Sequence, residues 1–181
     1  MKLVILDRDG VINFDSDEYI KSPAEWIPIP GSLEAIARLH REGFRVVVAS
    51  NQSGVSRGLF DTDTLMKIHV KMIEAVRAKG GDIDAVFFCP HAPSDGCHCR
   101  KPLPGLFEEI ADRLKVSLSG VWVVGDDERD VLAARAVMAR PAFVRTGHGR
   151  RTLRKKRFDG VPAYDNLAAF ADALLSGALP S

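Results

Sequence analysis

Excess charge is the first thing missing. The 25 Lys and Arg against 24 Asp and Glu leave a formal net charge of +1, which argues against nucleic acid or an acidic membrane surface as partner and in favour of a small molecule. Long apolar runs are missing as well. No stretch approaches the roughly 18 residues of a membrane-spanning helix, and the N-terminus enters an apolar strand pattern without a charged, cleavable leader, so a cytoplasmic protein without a membrane partner is expected. Cysteine is scarce: the three in the chain fall between Cys89 and Cys99, an odd number too closely spaced for a disulfide framework. Internal repeats and interdomain linkers are absent too. What remains is an ordinary globular balance, 46% hydrophobic and 27% charged over 181 residues. It predicts a single domain, 1–181, with a real core; a monomer is expected.

The most informative stretch is Lys2–Gly10, KLVILDRDG. Its apolar run with β-branched Val4 and Ile5 reads as a buried strand of a parallel sheet, and it breaks off into Asp7, Arg8, Asp9 and a glycine. Ligands of open α/β sheets lie beyond the carboxyl ends of the strands, so Asp7 and Asp9 stand where a substrate would sit. Taken alone, the pair would also suit an Asp-rich turn.

Further along, helix and strand patterns alternate. Asn13–Pro30, with three prolines and no period, reads as a long ordered loop of the kind that carries function. Helices are predicted over Ser32–Glu42, Thr62–Lys79 (with Leu65, Ile68, Val70, Met72, Ile73 and Val76 facing inward), Pro104–Leu114, Glu128–Ala139 and Leu167–Leu175. Strands are predicted over Phe44–Ala49, Ala85–Phe88, Val121–Val124 and Ala142–Val144. The alternation specifies an α/β fold with a doubly wound, Rossmann-like parallel sheet. The basic run Arg150–Arg157 reads as a solvated face.

Parallel strands place their ends on one edge, which gathers Asp7 and Asp9, Ser50 and Asn51, and Asp126 and Asp127, with Lys101 beyond the third strand. Such acids repel one another unless a divalent cation joins them, and hard oxygen ligands suit Mg²⁺. Carboxylates on a metal beside a lysine and a hydroxyl fit phosphoryl transfer. Asp7 is placed to attack phosphorus, and Asp9 to give a proton to the leaving alkoxide and later take one from water.

The segments DRDGVIN, Ser50-Asn-Gln-Ser-Gly, Arg100-Lys-Pro and Gly125-Asp-Asp together resemble, in order, the four motifs of the haloacid dehalogenase superfamily. Within it, the chain over roughly residues 1–149 is similar to the D-glycero-D-manno-heptose 1,7-bisphosphate phosphatases and their histidinol-phosphatase relatives. The resemblance implies a Mg²⁺-dependent phosphatase acting on the 7-phosphate of a heptose bisphosphate, in making activated heptose for an envelope glycan. It implies Asp7 as nucleophile, Asp9 as acid/base, Ser50 and Lys101 on the phosphoryl group, and Mg²⁺ on Asp7, the Asp9 backbone carbonyl and Asp126. Substrate contacts are expected from Asp15, Ser16, Asp17 and Glu18, from Asn51, Gln52 and Ser53, and from Arg100, with Arg57 a further cation for a second phosphate. Ser50 stands where the relatives usually carry threonine, and Asp127 where a lysine or small polar residue is usual. Histidinol-phosphate is the rival substrate. A non-catalytic metal-binding module is the alternative from another class, and the intact Asp7/Asp9 pair weighs against it.

Cys89, His91, Cys97 and Cys99 offer four ligands within eleven residues, a recognised tetrahedral zinc set, with His98 expected to point away. Four protein ligands make the zinc structural, and its position predicts that it fixes the loop delivering Arg100 and Lys101. At 181 residues no separate cap domain is expected, so the zinc loop and Asn13–Pro30 are expected to cover the site.

Overall fold

The computed structural model describes residues 2–155, 157–158 and 160–179. In chain order the elements are β1 (Lys2–Leu6), α1 (Ser32–Arg41), β2 (Phe44–Asn51), α2 (Thr62–Arg77), β3 (Ala85–Cys89), α3 (Gly105–Leu114), β4 (Trp122–Gly125), α4 (Glu128–Ala136), β5 (Arg140–Val144), α5 (Gly149–Leu153), β6 (Ala163–Tyr164) and α6 (Leu167–Leu175). The strands form one parallel sheet in the order β3-β2-β1-β4-β5-β6. The chain winds outward from β1 to β3, then returns to β4 on the other side of β1. The strand order therefore reverses between β1 and β4, which opens a crevice at their carboxyl ends.

Alternation along β1 divides the core. Val4 and Leu6 join Ile36, Leu39, Met72 and Phe170 on one face, while Leu3 and Ile5 join Leu106, Phe107, Ile110 and Ala133 on the other. Both faces of β1 are covered by helices, which is why it reads as a continuous apolar run rather than an alternating one. Leu6 pairs with Val48 of β2 and Val124 of β4, so the next residue, Asp7, emerges between two neighbouring strands.

Several elements differ from the sequence expectation. Val70 lies on the outer side of α2 at 52% exposure; Leu65, Ile68, His69, Met72 and Val76 are buried, and Ile73 packs partly buried against the core. The fourth helix ends at Ala136, since Met138 adopts a left-handed φ of 59°, and this lets β5 start at Arg140. The two-residue strand β6 and the short helix α5 were not expected. The Asn13–Pro30 segment is ordered: Trp26 is 1% exposed, and Lys71 Nζ of α2 donates to the Pro23 and Trp26 carbonyls at 2.5 and 3.0 Å. Arg150, Arg151, Arg154, Lys155 and Arg157 are exposed, in keeping with a solvated face; residue 156 of that run lies outside the described residues.

Candidate active site

The floor of the crevice is built on Asp7. Its N–H donates to the Val124 carbonyl at 2.9 Å, continuing the pairing of β1 with β4 by one residue. Lys101 Nζ reaches Asp7 Oδ2 at 3.1 Å, Asp130 Oδ1 at 2.6 Å and the Ala49 carbonyl at 2.7 Å. With Lys101 only 2% exposed, these partners are what make a buried ammonium tolerable. Burial works against the Lys101 cation, but Asp130 and Asp7 outweigh it and hold its pKa above the usual lysine range. Burial also works against the Asp130 carboxylate, and there Lys101 and Arg129 prevail and keep it ionised.

Asp126 follows β4 and is fully buried. Its Oδ2 accepts the His148 N–H at 2.7 Å, while Oδ1 has no partner among the described residues. Gly10, at φ +80°, and Gly147, at φ +55°, pack so closely on this carboxylate that a Cβ at either would collide with Oδ2. Both glycines are therefore required by the chain's approach as well as by their backbone conformation.

Ligand oxygens of Asp7, Asp126 and Asp130 lie within 4.8 Å of one another. Burial pushes Asp7 up to about 7 despite Lys101, and burial with the neighbouring Asp130 and Asp7 pushes Asp126 up to about 8. Crowded buried carboxylates with raised pKa values and one orphaned oxygen are a donor set for a hard divalent cation, and these residues fit Mg²⁺. The Asp9 carboxylate is not part of the cluster. It points to Arg8, Asn13 and Gln52, leaving the expected backbone carbonyl as its route to a metal.

Ser50 Oγ accepts from Gln52 Nε2 at 2.8 Å and opens into the same cavity as Asp7. Asn51 fixes the lysine's own backbone: its Nδ2 donates to the Lys101 carbonyl at 3.0 Å and its Oδ1 accepts the Lys101 N–H at 3.1 Å. Asp15, Ser16 and Asp17 line the outer wall with Asn51, Gln52, Ser53 and Arg100. Glu18 is exposed and not on this wall, because the chain turns at Tyr19, whose φ is 65°, and brings Tyr19 and Ile20 to the cavity instead. Arg57 is likewise exposed and outside the wall.

Sequence reasoning missed Asp130, Arg129 and His148. Asp130 carries a signal in retrospect, for an acid three residues after Asp127 is a capping-box pattern. The Asp127 side chain caps α4 by accepting the Arg129 N–H at 3.2 Å, and Asp130 Oδ2 accepts the Asp127 N–H at 3.1 Å. Asp127 is thus a helix cap. His148 Nε2 meets Asp15 Oδ2 at 3.0 Å across the cavity mouth, a contact between distant segments that no spacing could reveal.

The cysteine cluster converges as expected. Cys89, Cys97 and Cys99 Sγ are separated by 3.0–3.7 Å, and His91 Nδ1 is 3.3 Å from Cys99 and 3.6 Å from Cys89. Zinc–sulfur bonds of about 2.3 Å in a tetrahedron place sulfurs roughly 3.8 Å apart, so the cluster fits zinc after a small expansion. His98 turns away to Glu108 at 2.7 Å. Arg100 Nη1 donates to the His91 carbonyl at 3.1 Å, tying the cavity wall to the cluster.

A parallel α/β sheet with a paired-aspartate strand end, a buried lysine and a second carboxylate pair after β4 defines a phosphoryl-transferring hydrolase of the haloacid dehalogenase type. A family model described as HAD-hydrolase-like matches residues 98–170. The chain is 55% identical over 179 residues to the D-glycero-beta-D-manno-heptose-1,7-bisphosphate 7-phosphatase of Bordetella bronchiseptica, covering 98% of this chain and 100% of that one. It is 53% identical over 173 residues to the enzyme of the same name from Pseudomonas aeruginosa, covering 96% and 97%. A crystal structure of the B. bronchiseptica D,D-heptose 1,7-bisphosphate phosphatase, complexed with magnesium and phosphate, superposes with a TM-score of 0.95 at 54% identity, covering 98% and 99%. The chain belongs to the D-glycero-beta-D-manno-heptose-1,7-bisphosphate 7-phosphatase family.

Proposed function

We propose that this chain is a Mg²⁺-dependent phosphatase that removes the 7-phosphate of D-glycero-D-manno-heptose 1,7-bisphosphate, a step in making nucleotide-activated heptose for the lipopolysaccharide core. The observation that carries the reading is the Asp7 carboxylate held between buried Lys101 and the Asp126–Asp130 pair at the β1/β4 crevice, in a chain so similar to enzymes of that name.

In this reading an Asp7 oxygen attacks phosphorus, the bond from phosphorus to the sugar oxygen breaks, and an aspartyl-phosphate forms. The departing alkoxide takes a proton from Asp9. Asp9 then removes a proton from the water that cleaves the aspartyl-phosphate, returning Asp7 and inorganic phosphate. Ser50 and Lys101 hold equatorial phosphoryl oxygens, and Asp130 keeps Lys101 charged and aimed. Asp7, the Asp9 carbonyl and Asp126 would hold Mg²⁺, which when bound neutralises phosphoryl charge. Arg100 and the Asn51–Ser53 and Asp15–Asp17 segments take the sugar and its second phosphate.

Zinc on Cys89, His91, Cys97 and Cys99 is read as structural, since protein donors fill all four positions. The enzyme is read as a single-domain cytoplasmic monomer acting on a free sugar phosphate.

The test is phosphate release with Mg²⁺ from the heptose bisphosphate and from histidinol-phosphate side by side. A large kcat/KM advantage for the bisphosphate supports the assignment. A preference for histidinol-phosphate moves the enzyme to the rival substrate, and release from neither supports a non-catalytic module.

A further inference from the structure

Asp9 is the most fully engaged carboxylate of the cleft. Its Oδ1 accepts from Arg8 Nε at 3.0 Å and Asn13 Nδ2 at 2.9 Å, and its Oδ2 from Arg8 Nη2 at 3.0 Å and Gln52 Nε2 at 2.8 Å. An ionised carboxylate offers about four lone-pair sites. All are taken, which leaves none for a proton or a leaving-group oxygen.

Arg8 itself is 0% exposed. Its Nη2 also donates to Gln52 Oε1 at 3.2 Å, and its Nη1 lies 3.4 Å from His69 Nε2. His69 sits buried on α2 with its ring 5.7 Å from that of Phe88. A guanidinium can only donate, so His69 meets it through an unprotonated Nε2. Taking a guanidinium wholly out of water costs several kcal/mol, and an apolar side chain of similar volume often serves stability as well or better. Packing alone therefore does not account for an arginine here.

We propose that Arg8 is a positioning residue for Asp9: its fork, braced from behind by His69, parks the acid/base carboxylate clear of Asp7 until substrate draws Gln52 away. The release follows from a shared donor, because Gln52 Nε2 serves Asp9 Oδ2 and Ser50 Oγ at 2.8 Å each. A phosphoryl oxygen seated on Ser50 competes for that amide and frees one lone pair of Asp9, which takes up a proton from solvent and presents it on the leaving-group side, while Arg8 keeps the carboxylate from drifting. This inference rests on the reading of Asp9 as acid/base.

The test compares two leaving groups in single turnovers. An alkoxide needs the proton of Asp9 as it departs, whereas p-nitrophenolate leaves without one. Arg8→Lys keeps the charge and loses the fork; His69→Phe keeps a ring and loses the acceptor. Both are expected to slow sugar release from the heptose bisphosphate about tenfold more than the burst of p-nitrophenolate from p-nitrophenyl phosphate. His69→Gln restores an acceptor and recovers most of that difference. Equal slowing of both leaving groups, or no recovery with Gln, overturns the clamp. Asp9→Asn separates the two levels: if it discriminates the leaving groups and the Arg8 and His69 variants do not, only the clamp fails. If Asp9→Asn does not discriminate either, the acid/base reading falls and the clamp with it.

Discussion

At Lys101 a single ammonium joins the Asp7 carboxylate, the helix α4 acid and a strand carbonyl, so the effect proposed for it runs through Asp130 as well as through charge. Asp130→Asn removes the charge behind the shortest of these contacts and leaves the lysine less firmly aimed. A kcat loss of about 10²-fold is expected, with a larger one for Lys101→Met, which removes the charge on the phosphoryl group altogether. Steady-state kinetics of the two variants check this, and a near-normal Asp130→Asn contradicts it.

His69 gives a pH prediction at the same scale. Burial, with the neighbouring Arg8, lowers its pKa to about 3, against about 6.5 in an unfolded chain. Below the unfolded value only the unfolded state takes the proton. The histidine's contribution is therefore complete above about pH 6.5, falls by at most about 1.4 kcal/mol per pH unit below it, and levels off near the folded value. His69→Gln lacks this loss. Denaturant unfolding at about pH 7.5 and about pH 5 should show the advantage of the parent chain over His69→Gln shrinking by roughly 2 kcal/mol, and an unchanged gap contradicts the buried neutral imidazole.

Among the elements, the Cys89–Cys99 loop ties a candidate zinc site to the cavity wall. Cys99 is followed immediately by Arg100 and Lys101, and Arg100 is tied back to the His91 carbonyl. Cys97→Ala is expected to lose zinc, measured by metal analysis, and most activity, with the β1 end around Asp7 unchanged. Full activity in a zinc-free variant refutes the coupling. Helix α4 offers a stability counterpart. Asp127→Ala removes its N-cap and should cost about 1 kcal/mol in urea unfolding, a value near zero meaning that the cap is dispensable.

The elements also show what was legible in the sequence. β1 was readable as a continuous apolar run broken by Asp7, and α1, α2 and α6 because helical apolar spacing and glycine stops agree there. α5 and β6 were not, since five and two residues carry no period, and their place is set by pairing with β5 and by the turn around Gly147. At the site, Asp7 and Asp126 were legible because each directly follows a strand end, and the convergence of Cys89, His91, Cys97 and Cys99 because four soft ligands crowd eleven residues of sequence. Glu18 was misplaced toward the pocket because a left-handed Tyr19 reverses the chain, and His148 was invisible because its partner Asp15 lies far away in sequence.

For the whole molecule, the parallel order β3-β2-β1-β4-β5-β6 is what makes one site from four distant segments. Each contributes little alone. The end of β1 supplies the Asp7 carboxylate, β2 a hydroxyl, the loop after β3 the lysine, and β4 with α4 the remaining acids, all at the point where the strand order reverses. The close approach of Gly10 and Gly147 to Asp126 locks the two halves of that crevice together.

The central claim is that Asp7 carries the phosphoryl group, and trapping tests it most directly. The enzyme is mixed with Mg²⁺ and the heptose bisphosphate, quenched in acid during turnover, reduced with borohydride and digested for mass spectrometry. An acyl phosphate on Asp7 would be reduced to homoserine at position 7, only when substrate is present and never in Asp7→Asn. Homoserine at another acid such as Asp126, or at none while phosphate is still released, would contradict the account.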